Sequence, residues 1–235
     1  GINFRVCYFK PESELNELAN EHYRQNVCQC IRQWHYTEAN RNSIDMMLAV
    51  NGIPVVAIEL KNQLTGQSVD DAMRQWEYNR NPKEYAFGFN KRVLAYFACD
   101  LYNVYMTTQL NGAETVFLPF NQGSNGAGKD GGAGNPTTED GKYVTSYFWE
   151  NVLQKDKLLD ILQKFISYER SEKKKIMPDG STKTTVSSKV IFPRYHQLDV
   201  VRKLVSHVRE NGAGHNYLIQ HSAGSGKSNS IAWKA

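Results

Sequence analysis

"SIDMMLAVNGIPVVAIELKN", residues 43–62, decides the fold. Two β-favouring runs flank Asn51-Gly52, the dipeptide that most readily supplies the positive φ angles of a tight hairpin turn. The second run, Ile53 to Leu60, reads as a buried strand. It ends by placing Glu59 and Lys61 on one side with only Leu60 between them. In an extended strand the two are separated by roughly 7 Å. Burying opposite charges side by side is costly unless they have work to do. The first run of the hairpin brings Asp45 alongside. Two carboxylates, helped by the Leu60 carbonyl, are what holding Mg²⁺ against a scissile phosphate requires. A nearby ammonium can orient an attacking water and offset the developing charge. Asp45, Glu59 and Leu60 are therefore the candidate metal ligands, and Lys61 is the candidate cation. Asp-x13-Glu-x-Lys across an Asn-Gly hairpin follows the PD-(D/E)xK pattern of metal-dependent nucleases, with Ile44 where that pattern has proline; a surface salt bridge on an edge strand is the alternative reading.

Composition bounds the reading without deciding it. The 235 residues are 40% hydrophobic and 22% charged, enough for one large domain or a domain and a fraction. A net charge of +4 permits a polyanionic partner without requiring one. Cys7, Cys28, Cys30 and Cys99 form neither a disulfide framework nor a CxxC pair, so free thiols in a reducing, cytoplasmic compartment are expected. No apolar run approaches the ~18 residues of a membrane helix, and no signal peptide is seen. The chain starts at Gly1 without methionine and stops soon after a helix should begin, as a piece of something longer would.

Working outward, the region from Glu14 to about Gln33 has apolar residues at helical spacing and predicts a helix over at least part of its length. "SVDDAMRQWEYNR" predicts a helix with Ser68 as N-cap and Asp70 and Asp71 in its first turn. It presents Gln75 and Tyr78 one turn apart. "RVLAYFACD", "NVYMTTQL" and "TVFLPF" read as further strands. Asn121 to Gly141 is Gly, Asn, Asp and Thr with almost nothing to bury, and is expected as a mobile surface insertion. "SYFWENVLQKDKLLDILQKFISYE" reads as an amphipathic helix or helix pair. The charged stretch 171–188, broken by Pro178-Asp179-Gly180, reads as a linker between a first domain, 1–170, and the start of a second, 189–235.

The second part carries its own motif. "NYLIQ" reads as a short buried strand, and "HSAGSGKSNSIAWKA" as a glycine turn entering a helix. Gly224, Ser225 and Gly226 would let backbone N–H groups close on phosphates at a helix N-terminus, as in a Walker A loop. Lys227 would reach the β- and γ-phosphates of ATP, and Ser228 would complete a Mg²⁺ shell. The pattern's opening glycine is replaced by His221, as is common in helicase-type ATPases. Upstream, "FPRYHQLDVV" resembles the adenine-recognition element of superfamily 2 helicases, with Gln197 as the base-reading amide and Arg194 or Tyr195 as stacking partners.

Together these stretches resemble the restriction and motor subunit of type I restriction enzymes, from about Asn3 to the end. The helix after the hairpin resembles the QxxxY element found beside this nuclease motif, at the shorter spacing QxxY. The resemblance implies an α/β fold with a mixed central sheet and flanking helices, restriction-endonuclease-like, followed by the start of a RecA-like P-loop domain. It implies Asp45, Glu59, Lys61, Gln75 and Tyr78 as catalytic residues, with one further acid from Glu14, Glu17 or Glu21. It also implies Mg²⁺, ATP, double-stranded DNA, and methylation and specificity subunits. The chain by itself is expected to be inactive. A nuclease domain of another helicase–nuclease, repair-type or type III-like, shares these motifs. So does a DNA-binding module whose nuclease chemistry is lost.

Overall fold

The computed structural model describes residues 5–139, 141–176, 182–222 and 224–234, so Pro178-Asp179-Gly180 lies outside the described residues. A short helix, α1 (Glu17–Arg24), leads into strand β1 (Cys28–His35). The helix expected within Glu14 to Gln33 occupies only the first part of that stretch. Its tail, Cys-Gln-Cys-Ile-Arg-Gln-Trp, is taken into the sheet by β2 (Ser43–Val50), against which β1 pairs antiparallel. β2 turns into β3 (Ile53–Leu60) through Asn51 and Gly52, whose φ angles of 49° and 83° are the positive pair that the two-residue turn needs. A register shift at Leu48/Ala49 lies beside Pro54, which cannot donate to the ladder.

After β3 the chain crosses over through α2 (Val69–Tyr78) and returns as β4 (Ala95–Cys99), parallel to β3. β5 (Val104–Thr107) and the two-residue β6 (Leu118–Pro119) complete a six-stranded sheet in the order β1-β2-β3-β4-β5-β6. All its pairings but β3–β4 are antiparallel, so the central sheet is mixed as expected. The start of α2 is held by the Asp71 carboxylate, which accepts from the Ser68 N–H at 2.8 Å, and by Asp100, which accepts from the Val69 N–H at 2.8 Å.

Alternation along β3 sorts its side chains between two cores. Ala57 faces α2, in a cluster with Ile44, Ala72, Trp76, Phe87 and Tyr96. Val56 and Ile58 face the other side, with Phe97, Phe120, Phe148, Leu159 and Ile161. That second face is covered by a short π-helical turn, Phe148–Val152, and by α3 (Lys155–Lys164).

The stretch read as a linker contains regular structure. Most of 171–188 lies in an antiparallel hairpin of β7 (Ser167–Ile176) and β8 (Thr182–Ile191), with Lys189 and Glu169 paired at 2.9 Å. Its charges masked the β-branched Thr and Val that favour strands. Beyond it, α4 (Tyr195–Asn211) buries Leu198 and Val201 in the same cluster as Phe97 and Phe120. The stretch 121–139 is braced. Gly123 N–H donates to the Gly134 carbonyl at 2.8 Å, and the Asn135 amide ties the Gln122 N–H to the Tyr102 carbonyl. The strand expected at 216–220 does not form, and Leu218 is 94% exposed. Among the described residues no strand follows Ile191 to pair with it, so no RecA-like sheet is seen. The glycine turn does enter a helix, α5 (Lys227–Lys234).

Candidate functional site

The register Met46↔Ile58, continued by one residue, sets Asp45 opposite Glu59. Asp45 accepts the Leu60 N–H at 2.8 Å through one oxygen and the Gln33 amide at 3.1 Å through the other. Gln33 lies within β1 with a φ of 49°, a left-handed value unusual in a strand, and its side-chain Oε1 accepts from the Ser43 hydroxyl at 2.7 Å. Glu59 is fully buried. Its Oε1 accepts two bonds from Arg80, Nε at 2.9 Å and Nη2 at 2.6 Å, while Oε2 is buried with no hydrogen-bond partner. Lys61 follows β3 and donates from Nζ to Gln75 Oε1 at 2.6 Å. Two pairs thus lie near the start of β2 and the end of β3: Asp45 opposite Glu59, and Lys61 bonded to Gln75 of α2.

Tyr78 is not brought in. It is 69% exposed and has no side-chain hydrogen bond among the described residues. Val69, Ala72 and Trp76 define the buried face of α2. At about 100° per residue, Tyr78 lies roughly 200° from Trp76 and points away from the sheet. Glu14, Glu17 and Glu21 are also elsewhere. Helix α1 ends beside the hairpin turn, where the Val27 N–H donates to Asn51 Oδ1 at 2.7 Å. That end of β2 lies about 17 Å along the strand from Asp45.

Arg80 and Gln33 were missed by sequence reasoning. Arg80 is only 5% exposed, a burial that arginine tolerates only when paired. No local pattern announces it, because its partner is 21 residues away. Gln33 was hidden inside the expected helix.

Burial pushes the Glu59 carboxyl up to about 8, with Arg80 opposing and Asp45 adding to the rise. The folded carboxyl therefore holds its proton more tightly than an unfolded glutamate, near 4.5. The resulting stabilisation is fully present below about 4.5 and is lost as the pH rises through about 8. In metal-free buffer the thermal midpoint should fall between about pH 4.5 and pH 8, and Glu59→Gln should lose that fall. An equal fall in Glu59→Gln would assign the titration to another group.

The residues fit a divalent cation in one specific respect. Glu59 Oε2 is buried, meets no protein donor and stands beside the Asp45 carboxylate, an arrangement that favours a proton on Glu59 and that a divalent cation could take over. Among the described residues, no group of three or more His, Cys, Asp or Glu side chains gathers to hold an ion. Any cation here would be held by Asp45, Glu59 and backbone, keeping several waters.

The C-terminal turn is arranged differently from its expectation. Gly224 and Gly226 adopt φ of 74° and 80°. Lys227 Nζ donates to the His221 carbonyl at 2.9 Å. Gln197 is 4% exposed. Its Oε1 accepts the Arg194 N–H and its Nε2 donates to the Gly226 carbonyl, both at 2.9 Å. As the third residue of α4 it acts as a helix cap, so its amide is engaged where base reading would need it free. Tyr195 packs edge-on to Tyr147 at 4.8 Å, within the core. A cavity of about 570 Å³ lies between the β5–β6 edge and this turn. Gln109, Arg194, Gln197, Ser225 and Gly226 line it, whereas Lys227 and Ser228 do not.

The mixed α/β sheet with a carboxylate pair across β2 and β3 is consistent with a restriction-endonuclease-like fold. Residues 12–122 match the family model described as type I restriction enzyme R protein N terminus. That span contains β1 to β6 and every residue of the acidic cluster, and it ends before the glycine turn. The match is a likeness of this region to the N terminus of type I restriction enzyme R proteins. No curated protein matches the chain. Among the described residues no helix is long and apolar enough to cross a membrane, and the four cysteines are free.

Proposed function

We propose that this chain carries the Mg²⁺-dependent DNA endonuclease site of a type I restriction subunit, coupled in the full protein to ATP-driven DNA translocation. The observation that carries the reading is the meeting of Asp45 and Glu59 across the hairpin, with Glu59 Oε2 buried and unpaired. Asp45, Glu59 and the Leu60 carbonyl would hold the cation, which would polarise a scissile phosphate and lower the pKa of a bound water. Lys61, oriented by Gln75, supplies positive charge where the phosphoryl oxygens gain charge. Because a proton and a cation compete for Glu59, metal affinity should rise with pH up to about 8. The turn Gly224–Ser228 is the candidate for phosphate binding by ATP in the motor, with methylation and specificity subunits selecting the DNA.

The test is Asp45→Ala in the enzyme reconstituted with its partner subunits. DNA cleavage should be abolished while ATP hydrolysis persists. Equal loss of both would make Asp45 a structural residue.

A further inference from the structure

We propose that Arg80 is the positioning residue of the acidic cluster. It would hold Glu59 in the one orientation that presents Oε2 to a divalent cation. The inference rests on the metal-site reading above.

The geometry is asymmetric. Arg80 spends two N–H groups on the same oxygen, Glu59 Oε1, and none on Oε2. A guanidinium facing a carboxylate ordinarily engages both oxygens as a fork. Here the fork is diverted because Nη2 also donates to the Ser43 carbonyl at 2.7 Å. Ser43 begins β2, two residues before Asp45. A further long contact runs from Nη1 to the Asn79 carbonyl at 3.4 Å, and the guanidinium lies 5.7 Å from the centre of the Tyr36 ring. Arg80 therefore ties the strand that carries Asp45 to the strand that carries Glu59, from a root just past the end of α2. Rotation of the Glu59 carboxylate would break two charge-assisted bonds in a buried site, so Oε2 keeps its aim without a partner of its own. Both members are almost wholly buried, at 5% and 0% exposure, so the pair is shielded from salt. Lysine cannot replace this hold, since one ammonium cannot meet Oε1 through two parallel N–H groups while keeping the Ser43 carbonyl.

The experiment measures Mn²⁺ binding to this chain by calorimetry, in Arg80→Met, Arg80→Lys, Glu59→Gln and the double variant Arg80→Met/Glu59→Gln. Arg80→Met should weaken binding by about tenfold or more, and Arg80→Lys by an intermediate factor. In the Glu59→Gln background, Arg80→Met should bring no further loss, because a residue acting through Glu59 has nothing left to orient. An additional tenfold loss in that background would overturn the proposal, since a merely structural arginine would weaken both backgrounds alike. Wild-type affinity in a folded Arg80→Met or Arg80→Lys would also overturn it. If Arg80→Met does not fold, the Arg80→Lys affinity decides alone. Unchanged Mn²⁺ binding in Glu59→Gln would instead remove the metal-site reading itself, an outcome distinct from loss in Glu59→Gln with none in Arg80→Met.

Discussion

Lys61→Ala should lower DNA cleavage by the assembled enzyme by about 100-fold or more, the size of effect seen when one preorganised charge stabiliser is removed from an active site. Its Nζ is bonded to a neutral amide, Gln75 Oε1 at 2.6 Å, and no carboxylate is recorded as its ion-pair partner among the described residues. The charge is therefore held in place without being cancelled. Lys61→Arg should rescue only in part, because a planar guanidinium cannot place its charge at the same point. Gln75→Ala should have a smaller effect than Lys61→Ala, since the amide orients a group that remains present. Full cleavage by Lys61→Ala would sink the nuclease assignment for this strand.

The second large effect concerns stability. Trp76 is fully buried, donates its indole N–H to the Phe97 carbonyl at 3.0 Å, and packs edge-on to Tyr96 with ring centres 5.2 Å apart. It pins α2 across the parallel β3–β4 pair. Trp76→Ala should cost about 3–5 kcal/mol by leaving a cavity. For a chain of this size that lowers the thermal midpoint by roughly 10 °C. Because α2 carries Gln75 and leads to Arg80, cleavage should fall with it. Trp76→Phe keeps most of the packing and loses the hydrogen bond, a cost of about 1–3 kcal/mol. A thermal midpoint unchanged in Trp76→Ala would mean that α2 is held by something else.

Much of the fold was legible wherever the information is local. The Asn51-Gly52 turn, the alternation along β3 and the Ser68-to-Asp71 helix start each depend on residues within a few positions of one another. They are where the sequence places them. What failed depends on partners distant in the chain. β1 is exposed or half-buried along its length, so no alternation marks it as a strand, and only β2 makes it one. The β7–β8 hairpin reads as a charged linker for the same reason. Asp45, Glu59 and Lys61 could be named because one hairpin gathers them. Gln75 could be named because helical spacing puts it on a definable face, though the same logic misplaced Tyr78 by ignoring which face Trp76 buries. Arg80 could not be named, because its bond to Glu59 is formed only when the crossover closes.

The sharing of one core by α4 and the sheet has a mechanical side. Leu198 and Val201 press on the cluster containing Phe97, and Phe97 is the strand partner of Ile58, the residue before Glu59. Close-packed interiors do not stretch; they shift as a block or repack in discrete steps. A displacement of α4, whose first turn holds the Gly226 carbonyl through Gln197, would therefore have to be met by repacking of the cluster that contains Phe97.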